Sequence, residues 1–225
     1  MLKSVCRVFR KIYYAILLAR IGGLRALFAE LTHHIYSRAT YLVLGKSLVT
    51  NAVRVQCRVE YTLGRASEQD MDIILQQSKG EDKESVHELI QRKWFYESGF
   101  HDCYVAKTKN SGEICYMAWL LSSNTDSIHR NKSKLPSIKE DEILLENSYT
   151  FKKYRGNGIM PSAIARLADL ARRDGFKRMI TYVRQDNIAS LKGCEKVGFH
   201  HFDKMRELRL LFFAKRNREQ RETAG

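Results

Sequence analysis

The stretch of sequence that decides the fold occupies residues 149–161 and reads YTFKKYRGNGIMP. A predicted β-strand leads into it, and Pro161 is typical of the first turn of the helix that the next apolar residues predict. Gly156 and Gly158 permit positive φ angles and close approach of the backbone. The first turn of a helix also offers unpaired N–H groups and the positive end of the helix dipole. The sequence therefore predicts a site for a pyrophosphate-like anion, with a tight turn that binds no ligand as the alternative.

Positive charge is concentrated near this turn and at the beginning of the chain. Lys152, Lys153 and Arg155 stand beside the glycines, but no Gly-Lys-Ser/Thr sequence follows, so the turn is not a P-loop. The formal net charge is +14, and residues 1–50 supply half of it, with eight basic residues against one acidic residue. A balance this basic predicts an anionic partner, which is a phosphorylated ligand, an acidic membrane face or nucleic acid.

Outward from the turn, the apolar patterns predict strands and helices in mixed order. Residues 53–65 predict a first strand, because Val53, Val55, Cys57 and Val59 alternate with polar residues. Ser67 begins a helix-capping sequence, and helical patterns with a break near residue 80 continue to about residue 98. The other predicted elements are a hairpin at 103–121, a long loop at 122–140, a strand at 142–151, a helix at 161–175, a strand at 177–183, a short helix at 187–197 and an extended segment at 202–213.

A second signature occupies residues 187–199 and reads NIASLKGCEKVGF, a capped helix followed by Gly-Phe and a strand. Together with the glycine turn, it resembles the GCN5-related N-acetyltransferase (GNAT) superfamily, and the resemblance extends from Val53 to Phe213. The residues that fall on fixed positions of the family's two motifs are Arg155, Gly158 and Met160 in the first, and Asn187, Ser190, Gly198 and Phe199 in the second.

The resemblance implies a fold, a cofactor and a reaction. The fold is α/β (α+β) of the acyl-CoA N-acyltransferase type, with a mixed, mostly antiparallel central sheet flanked by helices and an N-terminal helical appendage. Acetyl-CoA is the co-substrate, no metal is needed, and an acceptor amine attacks the thioester directly. The strand edge at Ser148 and Thr150 would pair with the pantetheine amides, and Asn187 would hydrogen-bond the same arm. The turn would hold the pyrophosphate through Arg155, Gly156, Asn157, Gly158, Ile159 and Met160.

The chain departs from the family pattern at two positions and leaves the general base open. Met160 replaces a small residue and is expected to crowd the phosphate turn or reshape the helix start. Cys194 stands where many relatives carry a tyrosine that protonates the leaving thiolate, and it is either that proton donor or a small core residue. Glu146 shares the strand parity of a glutamate base in some relatives, as does Glu142. A water relay, with Glu146 as a surface or ion-paired carboxylate, is the alternative.

The first 50 residues predict two short amphipathic helices, followed by an extended stretch at 41–44. Such a segment either lies on an anionic membrane surface or packs on the domain or on a second subunit. It is similar to the corresponding region of bacterial relatives associated with cell-surface polysaccharide synthesis. That likeness favours an amino-sugar or lipid-linked acceptor, with a peptide or small amine as the alternative. The predicted ranges are 1–50 for this appendage, 53–215 for the acyltransferase domain and 216–225 for a polar tail.

The cysteines and histidines predict no metal centre. The five cysteines are widely spaced and form no CxxC pair, so they indicate free thiols of a reducing compartment. No run of about 20 apolar residues is present, so no membrane span is expected. We therefore expect a cytoplasmic enzyme with a small-molecule amine acceptor, and peripheral contact with the inner membrane face as an open alternative. The rival function is a non-catalytic acyl-CoA-binding module, while the absence of a DNA-reading motif argues against specific nucleic acid binding.

Overall fold

A computed structural model describes residues 36–49, 53–78, 81–125, 138–210 and 213–219. Eight strands form one sheet in these ranges. The strands are β1 (Tyr36–Ser47), β2 (Tyr61–Arg65), β3 (Cys103–Thr108), β4 (Ile114–Ser122), β5 (Glu142–Thr150), β6 (Arg178–Arg184), β7 (His200–Leu210) and β8 (Phe213–Glu219). The α-helices are α1 (Glu68–Gln77), α2 (Lys83–Glu97), α3 (Ile159–Arg173) and α4 (Ile188–Glu195), and a 3-10 turn lies at Lys152–Tyr154.

The sheet has the order β2-β3-β4-β5-β6-β1-β7-β8, and only β5 and β6 are parallel neighbours. Every other neighbouring pair is antiparallel. Helices α3 and α4 pack on one face with a core that includes Ile164 and Val197, while α1 and α2 pack on the other face with Ile74 and Leu89. The predicted mixed, mostly antiparallel sheet flanked by helices is therefore confirmed.

Local sequence signals place several of these elements correctly. The Ser67 hydroxyl accepts from the Asp70 N–H, and the Asp70 carboxylate accepts from the Ser67 N–H, so α1 begins with a reciprocal capping box. Asp82 caps α2 by accepting from the Ser85 N–H at 2.9 Å. The predicted hairpin is formed by β3 and β4. None of the helices in the described ranges has the length and apolar content that a membrane span requires.

The strand predicted at residues 53–65 is wrong over its first part, because regular pairing begins only at Tyr61. The predicted alternation is present: Val55, Cys57 and Val59 are half-buried against the core under α3, and the residues between them are exposed. The cause is that residues 53–60 run over the start of a helix, where no neighbouring strand offers a ladder. The backbone N–H of Arg58 instead donates to the Asn157 carbonyl at 2.9 Å.

Strand β1 confirms the extended stretch predicted at 41–44, but it falls within the residues predicted as a helical appendage. It lies in the middle of the sheet, paired with β6 on one side and β7 on the other. Its residues Val43 and Leu44 are both buried, as expected for a strand covered on both faces. The domain thus begins before residue 50, and β8 likewise extends into the predicted polar tail, to residue 219. The two predicted helices that precede residue 36 lie outside the described residues.

Candidate functional site

A cleft opens in the sheet where β5 and β6 separate. The two strands pair only over Glu142–Leu145 and Arg178–Thr181. Immediately afterwards Asn147 adopts a φ of 53°, and residues 147 and 148 lie opposite the single residue Ala118 of β4. An extra residue of this kind is a β-bulge, which bends the strand and increases its twist. The rest of β5, including Ser148 and Thr150, therefore has no strand partner on its β6 side in the described structure.

A largely buried arginine holds the bulge in place. The Arg92 Nε donates to the Asn147 carbonyl at 3.2 Å, and its Nη1 donates to the carbonyl of Glu88 at 2.9 Å and to the Glu88 carboxylate at 3.2 Å. The guanidinium carbon also lies 4.5 Å from the centre of the Tyr149 ring. Burial lowers the pKa of Arg92, but arginine remains charged in proteins. The sequence did not indicate this residue, because an arginine in an amphipathic helix usually faces solvent.

The glycine turn presents a row of unused hydrogen-bond donors. Gly156 and Gly158 have φ angles of 81° and 77°, and α3 starts at Ile159. Within the ranges that the structure describes, the backbone N–H groups of residues 156–160 donate to no protein acceptor. A Cβ at Gly158 would lie 2.6 Å from the Gln56 carbonyl oxygen, so this position requires glycine both for its φ and for space. The arrangement suits an anion bound at the start of α3.

The basic residues predicted beside the turn are largely engaged elsewhere. Lys152 pairs with Asp82 and Lys153 with Glu113, each at 2.7 Å. The Arg155 Nε donates to the Thr150 carbonyl at 3.1 Å. Further positive charge comes from residues that sequence reasoning missed. A pocket of about 700 Å³ at the turn is lined by Arg54, Val55, Gln56, Cys57, Arg58, Gly156, Asn157, Gly158 and Lys196.

Met160 is accommodated by a glycine on the neighbouring helix. A Cβ at Gly193 of α4 would lie 3.2 Å from both the Sδ and the Cε of Met160. The side chain of Met160 therefore lies over the one position of α4 that has no side chain of its own. A glycine within a helix costs about 1 kcal/mol relative to alanine, and here the lost side chain leaves room for the methionine. The bulk that was expected to crowd the turn is placed between α3 and α4.

The predicted acid and the predicted pantetheine ligand occupy different environments. Cys194 lies on the inner side of α4 and is 1% exposed, and burial raises the pKa of its thiol to about 12. Such a thiol is a poor proton donor to a thiolate of ordinary pKa near 8.5, so the geometry favours the packing role of Cys194. Asn187 is exposed at the start of α4, where its Oδ1 accepts from the Ser190 N–H at 3.1 Å. Its side-chain amide is therefore fixed as a helix cap beside the end of β6.

The two glutamates of β5 differ in their surroundings. Glu142 is buried at the closed end of the β5–β6 pair, where it accepts from the Lys139 N–H at 3.2 Å and lies 3.5 Å from Arg178. That position is structural and does not face the cleft opening. Glu146 is half-buried directly before the bulge and close enough to Arg92 to favour the charged form of the guanidinium. Glu146 is thus the carboxylate that the fold places at the mouth of the cleft.

Ser148 is tied to the sheet through its side chain. Its hydroxyl is 2.8 Å from the hydroxyl of Tyr116, and burial raises the pKa of that tyrosine. The backbone of Ser148, rather than its hydroxyl, is what remains for a ligand. No group of three or more His, Cys, Asp or Glu side chains suited to a metal occurs among the described residues. Whether the reaction needs a metal stays a prediction.

Comparisons with known proteins identify relatives in sequence. A family model described as "Acetyltransferase (GNAT) family" matches residues 69–199, more than half of the chain. The uncharacterized protein YkkB of Bacillus subtilis (strain 168) is 24% identical over 166 residues, which are 71% of this chain and 88% of that protein.

Two solved structures share the fold. A GCN5-related N-acetyltransferase from Sphaerobacter thermophilus has a TM-score of 0.51 and 12% identity, over 88% of this chain and 58% of that one. A glucosamine N-acetyltransferase region of a fungal multi-domain GH3 β-N-acetylglucosaminidase has a TM-score of 0.58 and 17% identity, over 82% of this chain and 22% of that one. The chain therefore spans little more than half of the first structure and less than a quarter of the second.

Proposed function

The chain belongs to the GNAT family of acetyltransferases, and we propose that it moves an acetyl group from acetyl-CoA to the amine of an amino sugar. The observation that carries the cofactor part is the cleft that opens at the Asn147 bulge and leads to the glycine turn. The cleft has unpaired backbone along one strand and free N–H groups at its end. Both features match a ligand that is a chain of amides ending in a diphosphate.

Strand β5 and the turn would bind different parts of the cofactor. The free N–H groups of residues 156–160 hold the diphosphate, aided by the dipole of α3. The unpaired backbone at Ser148 and Thr150 receives the pantetheine amides as an added strand would. In that arrangement, the Arg155 side chain must release the Thr150 carbonyl if that oxygen is one of the acceptors. The thioester then lies near the bulge, beside Asn147.

The reaction is acyl transfer in which the acceptor amine is the nucleophile. Its nitrogen bonds to the thioester carbonyl carbon, the C–S bond breaks, and coenzyme A leaves as the thiolate. We assign Glu146 as the base that takes the proton of the attacking nitrogen, because it lies at the mouth of the cleft. The thiolate takes its proton from water, since the buried Cys194 thiol has too high a pKa to give one up readily.

The choice of an amino sugar rests on likenesses of sequence and fold. A structural relative bears the name of a glucosamine N-acetyltransferase region. The basic N-terminal region is similar to that of bacterial relatives associated with cell-surface polysaccharide synthesis. A peptide or small-amine acceptor is the competing hypothesis, and the acceptor panel below separates them.

The test is release of free coenzyme A thiol when the full chain is given acetyl-CoA with glucosamine, a UDP-linked amino sugar, spermidine or a lysine peptide. We expect turnover that depends on the acceptor and is fastest with an amino sugar. Turnover with spermidine or the peptide alone would reject the amino sugar while retaining acetyl transfer. Tight coenzyme A binding without turnover of any amine would instead support the non-catalytic module.

Glu146→Gln tests the proposed base. Loss of a general base lowers kcat by about 10²–10⁴-fold, and the acidic limb of the pH–rate profile should flatten. Glu142→Gln is the matched control, because it removes a carboxylate of the same strand and parity at the closed end of the β5–β6 pair. A Glu146→Gln enzyme with unchanged kcat would leave acetyl transfer standing and point to a water relay.

We also retain the proposal that the basic N-terminal residues contact an anionic membrane surface. The fold changes the design of its test, because residues 36–47 form a strand in the middle of the sheet. A truncation at residue 50 would remove that strand and damage the domain. Co-sedimentation with phosphatidylglycerol vesicles should therefore compare the full chain with a chain that lacks residues 1–35. Equal pelleting of the two chains would refute the membrane contact.

A further inference from the structure

We propose that residues 54–58, called the clamp segment below, give this enzyme a second phosphate site, in which Arg54 and Lys196 bind the 3′-phosphate of coenzyme A. In this arrangement Arg58 and the glycine turn take the diphosphate. The inference rests on the proposed function, because it presumes that coenzyme A occupies the cleft. It concerns residues outside both sequence motifs. It predicts that the chain binds coenzyme A more tightly than 3′-dephospho-coenzyme A.

The clamp segment spans the distance between two helix ends. At its C-terminal end, the Arg58 N–H donates to the Asn157 carbonyl and the Gln56 carbonyl lies against Gly158, at the start of α3. At its N-terminal end, the adjacent Val53 approaches Gly198, since a Cβ at that glycine would be 3.9 Å from the Val53 Cγ2. Gly198 follows α4 and stands two residues after Lys196. The segment therefore runs from the end of α4 to the start of α3.

Successive side chains of the clamp segment lie on opposite sides of its backbone. Val55 and Cys57 are half-buried against the core, so the segment is anchored on its inner side. Arg54, Gln56 and Arg58 are exposed on the outer side. Four residues of extended chain span roughly 13 Å at about 3.3 Å per residue. The backbone of Arg58 lies beside the start of α3 and that of Arg54 lies next to Val53, beside Gly198, so the two arginines stand at opposite ends of the segment.

The positive charges of this pocket are available to a ligand. Arg54, Arg58 and Lys196 have no acidic partner within the described ranges, and none of the residues that line the pocket is acidic. Lys152 and Lys153, by contrast, are paired with carboxylates. An unpaired arginine can grip a phosphate with two parallel hydrogen bonds, and a nearby lysine adds a second positive charge.

The ligand chemistry assigns the two positions. Five free N–H groups lie at the turn, and the backbone of Arg58 is hydrogen-bonded to it, so this end of the pocket suits the diphosphate. Arg54 and Lys196 lie toward the other end of the segment. There they can bind a second anionic group of the same ligand. A phosphomonoester carries about −1.5 to −2 charges at neutral pH, which two cations match. The 3′-phosphate is the group of that chemistry on coenzyme A.

The distinguishing experiment measures Kd by calorimetry for coenzyme A and for 3′-dephospho-coenzyme A. We expect the full wild-type chain to bind coenzyme A about 10–100-fold more tightly, the range that charged hydrogen bonds supply. The double variant Arg54→Ala/Lys196→Ala should bind the two cofactors within about twofold of each other. Arg58→Ala should weaken both to the same extent, and Lys153→Ala, an exposed but paired lysine, is the control that should change neither.

The outcomes separate this inference from the proposed function. Equal affinity of the wild-type chain for the two cofactors, with acetyl transfer intact, would overturn the second phosphate site and leave the enzyme assignment in place. A wild-type preference that survives in the double variant would overturn the roles of Arg54 and Lys196. Failure of the wild-type chain to bind either cofactor would overturn the proposed cleft and this inference together. Because both substituted side chains are exposed, near-UV circular dichroism should be unchanged.

Discussion

The two ends of the cleft use positive charge in opposite ways. In the pocket beside the glycine turn, Arg54, Arg58 and Lys196 are exposed and have no acidic partner in the described structure. At the bulge, Arg92 is enclosed, with its donors directed to a backbone carbonyl and to Glu88. Exposed, unpaired cations are available to an anionic ligand, whereas a largely buried cation that donates to the protein fixes the backbone around it. The first group should govern cofactor affinity and the second should govern stability and the chemical step.

The largest effect is expected from Arg92→Met, compared with Arg58→Met at the other end of the cleft. Removal of the Arg92 guanidinium leaves the Asn147 carbonyl without its donor, and we expect a loss of about 2–3 kcal/mol of unfolding free energy. kcat should fall at least about tenfold, because the bulge borders the proposed thioester position. Urea unfolding and steady-state kinetics are the measurements.

Arg58→Met should show the reverse pattern, with stability within about 0.5 kcal/mol of wild type and a raised Kd for coenzyme A. Partial recovery of kcat by Arg92→Lys would support a role in holding the bulge. If Arg92→Met changed only the Kd for coenzyme A, the proposed contrast between the two ends would be wrong.

The next largest effect separates the two glycines of the turn. Alanine at Gly156 or Gly158 suffers the same positive φ, a cost of about 1–2 kcal/mol for an L-residue. Only at Gly158 does the new Cβ meet the Gln56 carbonyl, at 2.6 Å, while no atom lies within 4 Å of a Cβ at Gly156. Gly158→Ala should therefore be the less stable variant by at least about 1 kcal/mol in urea unfolding. Equal unfolding midpoints would mean that the clamp segment does not rest on the turn in solution.

The smallest effect is expected from Cys194→Ala, which tests whether proton donation comes from the α4 side of the cleft. A general acid contributes about 10²–10⁴-fold to the rate, so a decrease of less than about tenfold in kcat identifies Cys194 as a packing residue. A decrease of 10²-fold or more, with an unchanged KM for acetyl-CoA, would restore the proton-donor role.

The same variant tests the pKa of the buried thiol through stability. The pKa of Cys194 is about 12 in the folded chain, against a usual value of 9.0. The unfolded thiol therefore ionises first, and the free energy of unfolding should fall as pH rises above 9, by up to about 1.4 kcal/mol per pH unit for this group. Urea unfolding between pH 8 and 10.5 should show a shallower decline in Cys194→Ala. Cys103 and Cys115, whose pKa values burial also raises, continue to contribute in both proteins.

The sequence was informative where the structural signal is local. The capping box at Ser67, the hairpin of β3 and β4, and the strand, glycine turn and helix from β5 to α3 all depend on residues close together in the chain. Arg92 could not be recognised, because its partner Asn147 is 55 residues away and the bulge that it supports has no signature of its own. The compensation of Met160 by Gly193 is likewise a contact between two helices.

The error at residues 53–60 and the assignment of β1 to an appendage outside the domain have a common physical origin. An alternation of apolar and polar residues reports that one side of an extended chain is buried, and it does not report what buries it. For residues 53–60 the covering surface is the start of α3, so the pattern is present without strand pairing. For residues 36–47 the neighbours are β6 and β7, which follow more than a hundred residues later. Neither set of partners can be read from the local sequence.

The position of β1 also has a consequence for the order in which the enzyme can be completed during synthesis. Tyr36 pairs with Leu210, so the pairing of β1 with β7 cannot be completed until residue 210 has been synthesised. At about 5–20 residues per second, the ribosome needs roughly 10–35 s to produce the intervening chain. Until residues 178–184 of β6 are made, β1 has neither of its neighbours, and its apolar residues are candidates for chaperone binding. The half of the sheet that contains β2 to β5 has no such delay, which makes it the natural first folding unit of the nascent chain.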